Sequence, residues 1–440
     1  MHQRATTDQR GTTTVHGDAT AAAGTSVEFE TDVMTLLVAA LRGAVKFGAT
    51  AVGTENLLAA LVMGDSDAGA AIAPGMRKAG ALGGLVSGRG GRGWASTDDV
   101  AGPVPDEAGS VPDAAGSVPD EDAADAYEIT AAWREAHWRF GLDSRRPAAG
   151  SARPLPGMTG ALRACLLFAL KAARAEGTVS VRCRHVARAL LELPDSRARE
   201  ALVLERLDPA AAASALDTLD ASAPAGPERP ESYGVMLLRR AGTLGRSGNR
   251  LTRALTSWFS GSGQYGSPVL FAVFLEATRQ AVRCGRSEAR PVDLLLGILA
   301  LDRALAVAGG ALPEDLAAAN SAAALLNRHG ARLDPLNRAA NTTTEGGSVG
   351  EVLFSGTAER AKAVAQLTAA EHGSATVGTV HLLAALLDES AADAPAQDAP
   401  AQDVAAQDVT AQDVTVVGLL TARHVDIAAL RADLPLGPGA

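Results

Sequence analysis

Apolar residues recur at three- and four-residue intervals along most of the chain, and one such stretch sets the pattern for the others. Ala40, Ala44 and Gly48 lie four apart, so they stack on one face of a helix. A row of minimal side chains lets a second helix backbone come close. Gly48 suits the left-handed position that ends a helix. Val52 and Gly53 then read as a tight turn, and Thr54 is expected to cap the next helix, worth ~1 kcal/mol relative to alanine. Glu55 stands where an anion favours the helix dipole, and Leu57, Leu58 and Leu61 supply the buried stripe. The pattern predicts a close-packed helical hairpin.

The same arrangement returns three times. Anchored on Gly48, Gly177, Gly285 and Gly373, alanine stands four residues before each, at Ala44, Ala173, Ala281 and Ala369. It stands eight before at Ala40, Ala169, Ala277 and Ala365. Nine residues after come Leu57, Val186, Leu294 and Leu382; thirteen after come Leu61, Leu190, Ile298 and Leu386. Four registers agreeing at five positions predict four copies of one helical unit. Their spacing is irregular, which excludes a simple solenoid of fixed period.

The stretches between copies read as linkers. Gly83–Gly93 is glycine-rich, and Ala108-Gly109-Ser110-Val111-Pro112-Asp113 recurs as Ala115-Gly116-Ser117-Val118-Pro119-Asp120, a composition that is not expected to fold. Tyr127 to Phe140, holding Trp133 and Trp138, is expected as a short helix docked on a neighbour, with a surface anchor for a partner as the other reading. Val235 to Phe259 carries Arg239, Arg240, Arg246, Arg250 and Arg253 and no acid. It reads either as a connecting helix pair with a solvated face or as a contact for an acidic partner or anionic surface. Ala396 to Val414, built from Ala-Gln-Asp-Val units, reads as a polar insertion in the fourth copy.

Composition narrows the class. Hydrophobic residues make up 47% and aromatics 3%, so burial is ample but the side chains are small, as in an all-α protein with thin, closely packed helices. A net charge of -10 gives no general attraction to nucleic acid. Cys165, Cys183 and Cys284 form no CxxC pair and leave an odd count, so they read as thiols of a reducing compartment rather than a disulfide framework. Residues 1–26 have no apolar core resembling a signal peptide, and no run reaches the ~18 apolar residues of a spanning helix. A cytoplasmic protein without an integral membrane segment is expected.

The turn sequence carries a resemblance. Gly48-Ala49-Thr50-Ala51-Val52-Gly53-Thr54-Glu55-Asn56-Leu57-Leu58 resembles the Clp N-terminal (Clp R) repeat, an alanine-rich helix followed by Val-Gly-Thr-Glu-His-Leu-Leu. Val377-Gly378-Thr379-Val380-His381-Leu382-Leu383 of the fourth copy is similar, with Ser355 as the cap of its first helix. Copies two and three diverge, with Cys183 and Arg184, or Pro291, Val292 and Asp293, at the turn; Pro291 still suits a helix start. In that family two adjacent repeats form one domain with pseudo-twofold symmetry. The resemblance therefore implies two Clp-N-like domains, each of two pseudo-repeated four-helix units, with disordered linkers. The expected boundaries are a tail at 1–26 and a first domain at 27–220, with repeats at about 27–82 and 157–220 around an insertion at 83–156. A linker with the basic segment at 221–265 follows, then a second domain at 266–436, with repeats at about 266–336 and 352–436 and a low-complexity insertion at 391–414.

Family members place this domain ahead of AAA+ ATPase modules, and that engine is missing here. No lysine follows a glycine, so there is no phosphate-binding Gly-Lys-Ser/Thr loop, and His-Glu-x-x-His does not occur. The expectation is a non-enzymatic recognition protein with no catalytic residue, cofactor or metal. It would bind peptides, adaptor or client proteins, or Clp unfoldase and protease components, and so modulate ATP-dependent proteolysis. The alternative is a decoy that sequesters macrocyclic peptide antibiotics. In some family members the glutamate at the position of Glu55 helps recognise phosphorylated arginine, its carboxylate accepting guanidinium hydrogen bonds. The resemblance thus points to Thr54, Glu55 and Asn56 as ligand-binding residues and to Thr379 and His381 as a second-domain counterpart. From the residues alone, Glu55 is a dipole-favoured acid, and His185 and His381 are helix-start polar residues rather than zinc ligands.

Overall fold

Helical hairpins dominate the structure, a computed structural model that describes residues 27–90, 92–96, 98, 121–143, 155–222, 230–244, 267–341, 351–374, 376–392 and 415–436. The N-terminal tail, the Val-Pro-Asp repeats, most of the arginine-rich stretch beyond Leu244, and the Ala-Gln-Asp-Val insertion lie outside the described residues. The first hairpin comprises strand β1 (Glu28–Phe29), helix α1 (Thr31–Lys46), strand β2 (Ala51–Val52) and helix α2 (Thr54–Met63), followed by α3 (Asp67–Ile72) and α4 (Met76–Arg89). Helix α5 (Glu121–Asp143) precedes a second set: β3 (Gly157–Met158), α6 (Gly160–Ala175), β4 (Ser180–Val181), α7 (Cys183–Glu192), α8 (Arg197–Leu204) and α9 (Pro209–Ser222). After α10 (Tyr233–Arg240) come α11 (Pro268–Arg283), β5 (Glu288–Ala289), α12 (Pro291–Val307), α13 (Glu314–Ala317), α14 (Ala322–Arg328) and α15 (Leu333–Ala340). The last set is β6 (Leu353–Phe354), α16 (Gly356–Glu371), α17 (Thr379–Ala392), α18 (Val416–Thr421) and α19 (Ile427–Ala432).

In each hairpin the small-residue row is buried. Ala40, Ala44, Ala169, Ala173, Ala277, Ala281, Ala365 and Ala369 are all in the interior. Gly48, Gly177, Gly285 and Gly373 have φ of 67°, 69°, 79° and 64°, the left-handed conformation in which a Cβ would be strained. The second helices share a cap. The third residue of each bends its side chain back to accept the amide of the residue before the helix: Asn56 from Gly53 (3.0 Å), His185 from Arg182 (2.9 Å), Asp293 from Arg290 (2.9 Å) and His381 from Gly378 (3.0 Å). Thr54 is therefore not the cap expected from its sequence; Gly53 holds that position and Thr54 is the first helical residue. Ser355 caps α16 by accepting the Ala358 amide at 3.2 Å, and Pro291 opens α12.

The short strands tie hairpins together. β1 pairs in parallel with β4, and β2 with β3. The Glu30 amide donates to the Val181 carbonyl and the Thr159 amide to Val52, each at 3.0 Å. Each hairpin of this pair thus anchors the start of its first helix on the turn of the other. β5 pairs in parallel with β6, and the Ser355 amide donates to Ala289 at 2.9 Å.

Two apolar cores result. One is lined by α1–α9, from Val27 to Leu216; the other runs from Val235 on α10 to Leu430 on α19. Helix α5 stands between them. Ile129, Ala132, Ala136 and Phe140 enter the first core, whereas Trp138 packs near Ala281, Val282 and Ala289. This helix is longer than its Tyr127–Phe140 pattern suggests, and the glycine-rich stretch after Gly83 is helical as far as Arg89 because Leu82 and Val86 have an interior to face. Composition there understates what a helix can hold once one face is covered.

Buried charges cross between the cores. Glu135 of α5 accepts from Arg279 Nε (3.0 Å) and Arg283 Nη1 (3.1 Å) of α11, and from Arg139 on its own helix (2.6 Å). Arg279 also reaches Glu28 of β1 at 3.2 Å, and Arg303 of α12 joins Glu28 (3.1 Å) to Asp334 (3.0 Å). Burial alone would raise these carboxyls, but the surrounding guanidinium groups win and hold both Glu135 and Glu28 well below the ordinary carboxylate range.

Candidate functional site

The start of α2 faces the start of α8 across a buried polar cluster. Thr54 and Glu55 are both 0% exposed. Thr54 Oγ1 accepts the Ala198 amide of α8 at 3.0 Å, which joins the two helix N-termini. Between them sits the carboxylate of Asp98. It accepts the Thr54 amide (2.9 Å), the Thr54 hydroxyl (3.0 Å), the Arg197 amide (2.9 Å) and the Thr159 hydroxyl (3.3 Å). Two helix dipoles and four donors thus converge on one anion. Asp98 has φ 46°, in the left-handed region that aspartate tolerates better than most residues.

Glu55 lies beside this cluster. Its Oε1 is 3.4 Å from Arg197 Nη1, while Oε2 makes no hydrogen bond. A Cβ placed on Gly53 would stand 2.1 Å from Glu55 Oε2 and 2.8 Å from Asp98 Oδ2, so a larger residue there would have to push the two carboxyl groups aside. Burial, then the Asp98 charge, push the Glu55 carboxyl up to about 7, against the opposing pull of Arg197. Asn56 spends its Oδ1 on the Gly53 amide and is a cap.

Asp98 is carried by a strap, residues 92–96 and Asp98 itself, that arrives from the end of α4. Glu200 of α8 holds it by accepting the amides of Ala95 (2.8 Å) and Ser96 (3.0 Å), and it pairs with Arg89 at 3.0 Å. Arg89 in turn lies over the Trp94 ring, 4.9 Å from its centroid. Asp98, Arg197, Thr159 and Glu200 carry no signature in the sequence; Asp98 lies in a stretch that reads as linker.

The counterpart in the other half is built from Thr379 and His381. Thr379 Oγ1 accepts the Ala322 amide of α14 at 3.4 Å, and the Thr379 amide donates to Asn320 Oδ1 at 3.1 Å. Asn320 fills the place that Asp98 fills in the first half, with a neutral amide instead of a carboxylate. His381 caps through Nδ1 and meets Ser374 Oγ through Nε2 at 3.1 Å; burial lowers its basicity. The Thr54–Glu55–Asn56 cluster and the Thr379–His381 cluster lie in separate cores.

Among the described residues no group of three His, Cys, Asp or Glu side chains is placed to hold a metal ion. Burial pushes the Cys183 thiol up to about 12, and Cys165 and Cys284 also upward, which leaves them poor nucleophiles. No helix among the described residues is long and apolar enough to cross a membrane. Comparison with protein-family models, curated proteins and solved structures finds no match for this chain.

Proposed function

We propose that this chain is a stand-alone recognition protein of the Clp N-terminal type: two domains, each of two repeated helical units, without an ATPase motor. It is non-enzymatic. It binds peptides, protein substrates or components of a Clp unfoldase–protease system and so modulates ATP-dependent proteolysis.

The observation that carries this reading is the reciprocal tie between the first two hairpins. Glu30 bonds to Val181 and Thr159 to Val52, so each hairpin's entry rests on the other's turn. Two repeats related by a pseudo-twofold axis would be joined in this way. The turn that supplies Val52 is also the one that reads Val-Gly-Thr-Glu, and it lies against the start of α8. The shared third-residue caps of α2, α7, α12 and α17 support four units of common design.

The test is affinity capture of the full chain with a purified Clp unfoldase and, separately, with that unfoldase's clients. Retention of either supports the proposal. A folded chain that retains neither contradicts it.

A further inference from the structure

Three large apolar side chains stand in water along one seam of the first half. Met76 opens α4 and is 86% exposed, Met63 closes α2 at 56%, and Phe47 follows α1 at 41%. They share a side of α4. Met76, Gly83 and Gly90 are seven residues apart, about two helical turns, and so fall on one flank. A Cβ on Gly83 would stand 3.1 Å from Met63 Sδ, and one on Gly90 would stand 3.9 Å from Phe47 Cβ, which sets Met63 and Phe47 against that flank. The row therefore follows α4 for roughly 20 Å, the length of its 14 residues. Beside it Gly80 and Gly84 have nothing within 4 Å of a Cβ position, so the helix backbone is open to close approach. Single exposed apolar residues are ordinary; three in one line form a patch that a partner can cover. The rim of this patch is basic. Between Met76 and Trp94 stand Arg77, Lys78, Arg89 and Arg92 and no acid, in a chain whose net charge is -10. Arg89 is spent on Glu200. Arg77, Lys78 and Arg92 are exposed, as is Lys46, whose Nζ lies 5.5 Å over the Phe47 ring. Against these four cations the seam sets two exposed acids, Asp65 and Asp67, just past Met63.

We propose that the α2–α4 seam is a docking surface for an acidic amphipathic helix of a partner protein. The apolar stripe of that helix lies on Phe47, Met63 and Met76, and its carboxylates meet Lys46, Arg77, Lys78 and Arg92. Methionine suits such a surface, because its flexible thioether adapts to the side chains it meets. Charge decides the occupant. The local cations attract acid, whereas the net charge of -10 opposes a nucleic acid or an anionic bilayer, each an extended polyanion, more than it opposes one short helix. The surface lies outside the buried polar cluster at the start of α2 and does not rest on the Clp reading.

The experiment is fluorescence anisotropy of the full chain with a labelled peptide of about 18 residues, five helical turns, that carries leucines at helical spacing among glutamates. A second peptide of the same composition has its leucines scattered. The native chain is expected to bind the first peptide saturably and at least about tenfold more tightly than the second, with affinity falling as salt rises. The double variant Arg77→Glu with Lys78→Glu, and separately Met76→Ser, change only exposed side chains, so both should keep native helicity. Each is expected to weaken binding at least about fivefold. No saturable binding by the folded native chain, or unchanged affinity in both folded variants, overturns the proposal. Tighter binding of phosphatidylserine vesicles or duplex RNA through the same residues overturns the choice of partner, as does self-association of the chain that the same variants abolish. Failure to capture a Clp component would leave a positive result here standing, and a negative result here would leave the Clp proposal untouched.

Discussion

At the scale of single residues the site turns on the proton of Glu55. Glu55 is raised to about 7 in the folded chain, from an ordinary value of 4.5. Between those values the native state binds the extra proton, so stability falls as pH rises and levels off once Glu55 is ionised. The groups facing it are Asp98, which opposes ionisation, and Arg197, which favours it. Glu55→Gln removes the titration while keeping the shape. The variant should be more stable than the native chain at pH 8, by up to roughly 3 kcal/mol, and nearly equal to it at pH 4. Urea denaturation at the two pH values checks this, and a gain of the same size at both would refute the linkage. Thr54 and Glu55 stand out in the sequence because their turn resembles a known repeat. Asp98 does not, since aspartate in a glycine- and proline-flanked stretch looks like any solvated loop residue. Its role depends on a long-range approach that no local pattern encodes.

Among the elements, close helix approach is the organising constraint. Gly297 on α12 faces α11 so tightly that a Cβ would lie 2.6 Å from the Val273 carbonyl oxygen and 2.9 Å from the Ala277 nitrogen. Glycine to alanine in an exposed helix gains about 1 kcal/mol from propensity. Here the clash is with backbone, which cannot rotate away, and overpacking costs about 1–3 kcal/mol. Gly297→Ala should therefore destabilise by up to about 2 kcal/mol net, read as a lowered thermal midpoint; a raised midpoint would show that α11 and α12 are free to separate. Ala44→Leu on α1 should cost a similar ~1–3 kcal/mol. The small-residue rows and the glycines after them are legible in the sequence because they obey helical spacing. The caps are only half legible: Ser355 and Pro291 sit where their chemistry predicts, whereas Thr54 yields the cap position to Gly53 and turns its hydroxyl to α8. Helix α5 is misjudged in length because its polar face meets arginines of α11 rather than water.

For the whole molecule, the buried charges around Glu135 tie the two cores together alongside apolar and other polar contacts. Removing one partner leaves uncompensated buried charge, so Glu135→Ala should destabilise by about 3–5 kcal/mol. It should also make the cores melt in separate calorimetric transitions; a single unshifted transition would contradict this. Glu135 and Glu28 are depressed in the folded state, so their contribution is present above the ordinary carboxylate range and is lost as pH falls through their folded values. Glu128, which pairs with Arg283 in the same interface, is pushed the other way by burial, up to about 7, so its part of the linkage weakens as pH rises while that of Glu135 and Glu28 is lost in acid. The all-helical class and the hairpins follow from spacing and composition, while this interlock joins residues 144 positions apart and could not be read from either. If the chain acts on proteolysis through recognition alone, adding the full chain to a reconstituted Clp unfoldase–protease degrading a labelled substrate with ATP should change the degradation rate saturably, with no ATP hydrolysis by the chain itself. An unchanged rate with the folded chain in excess would contradict it.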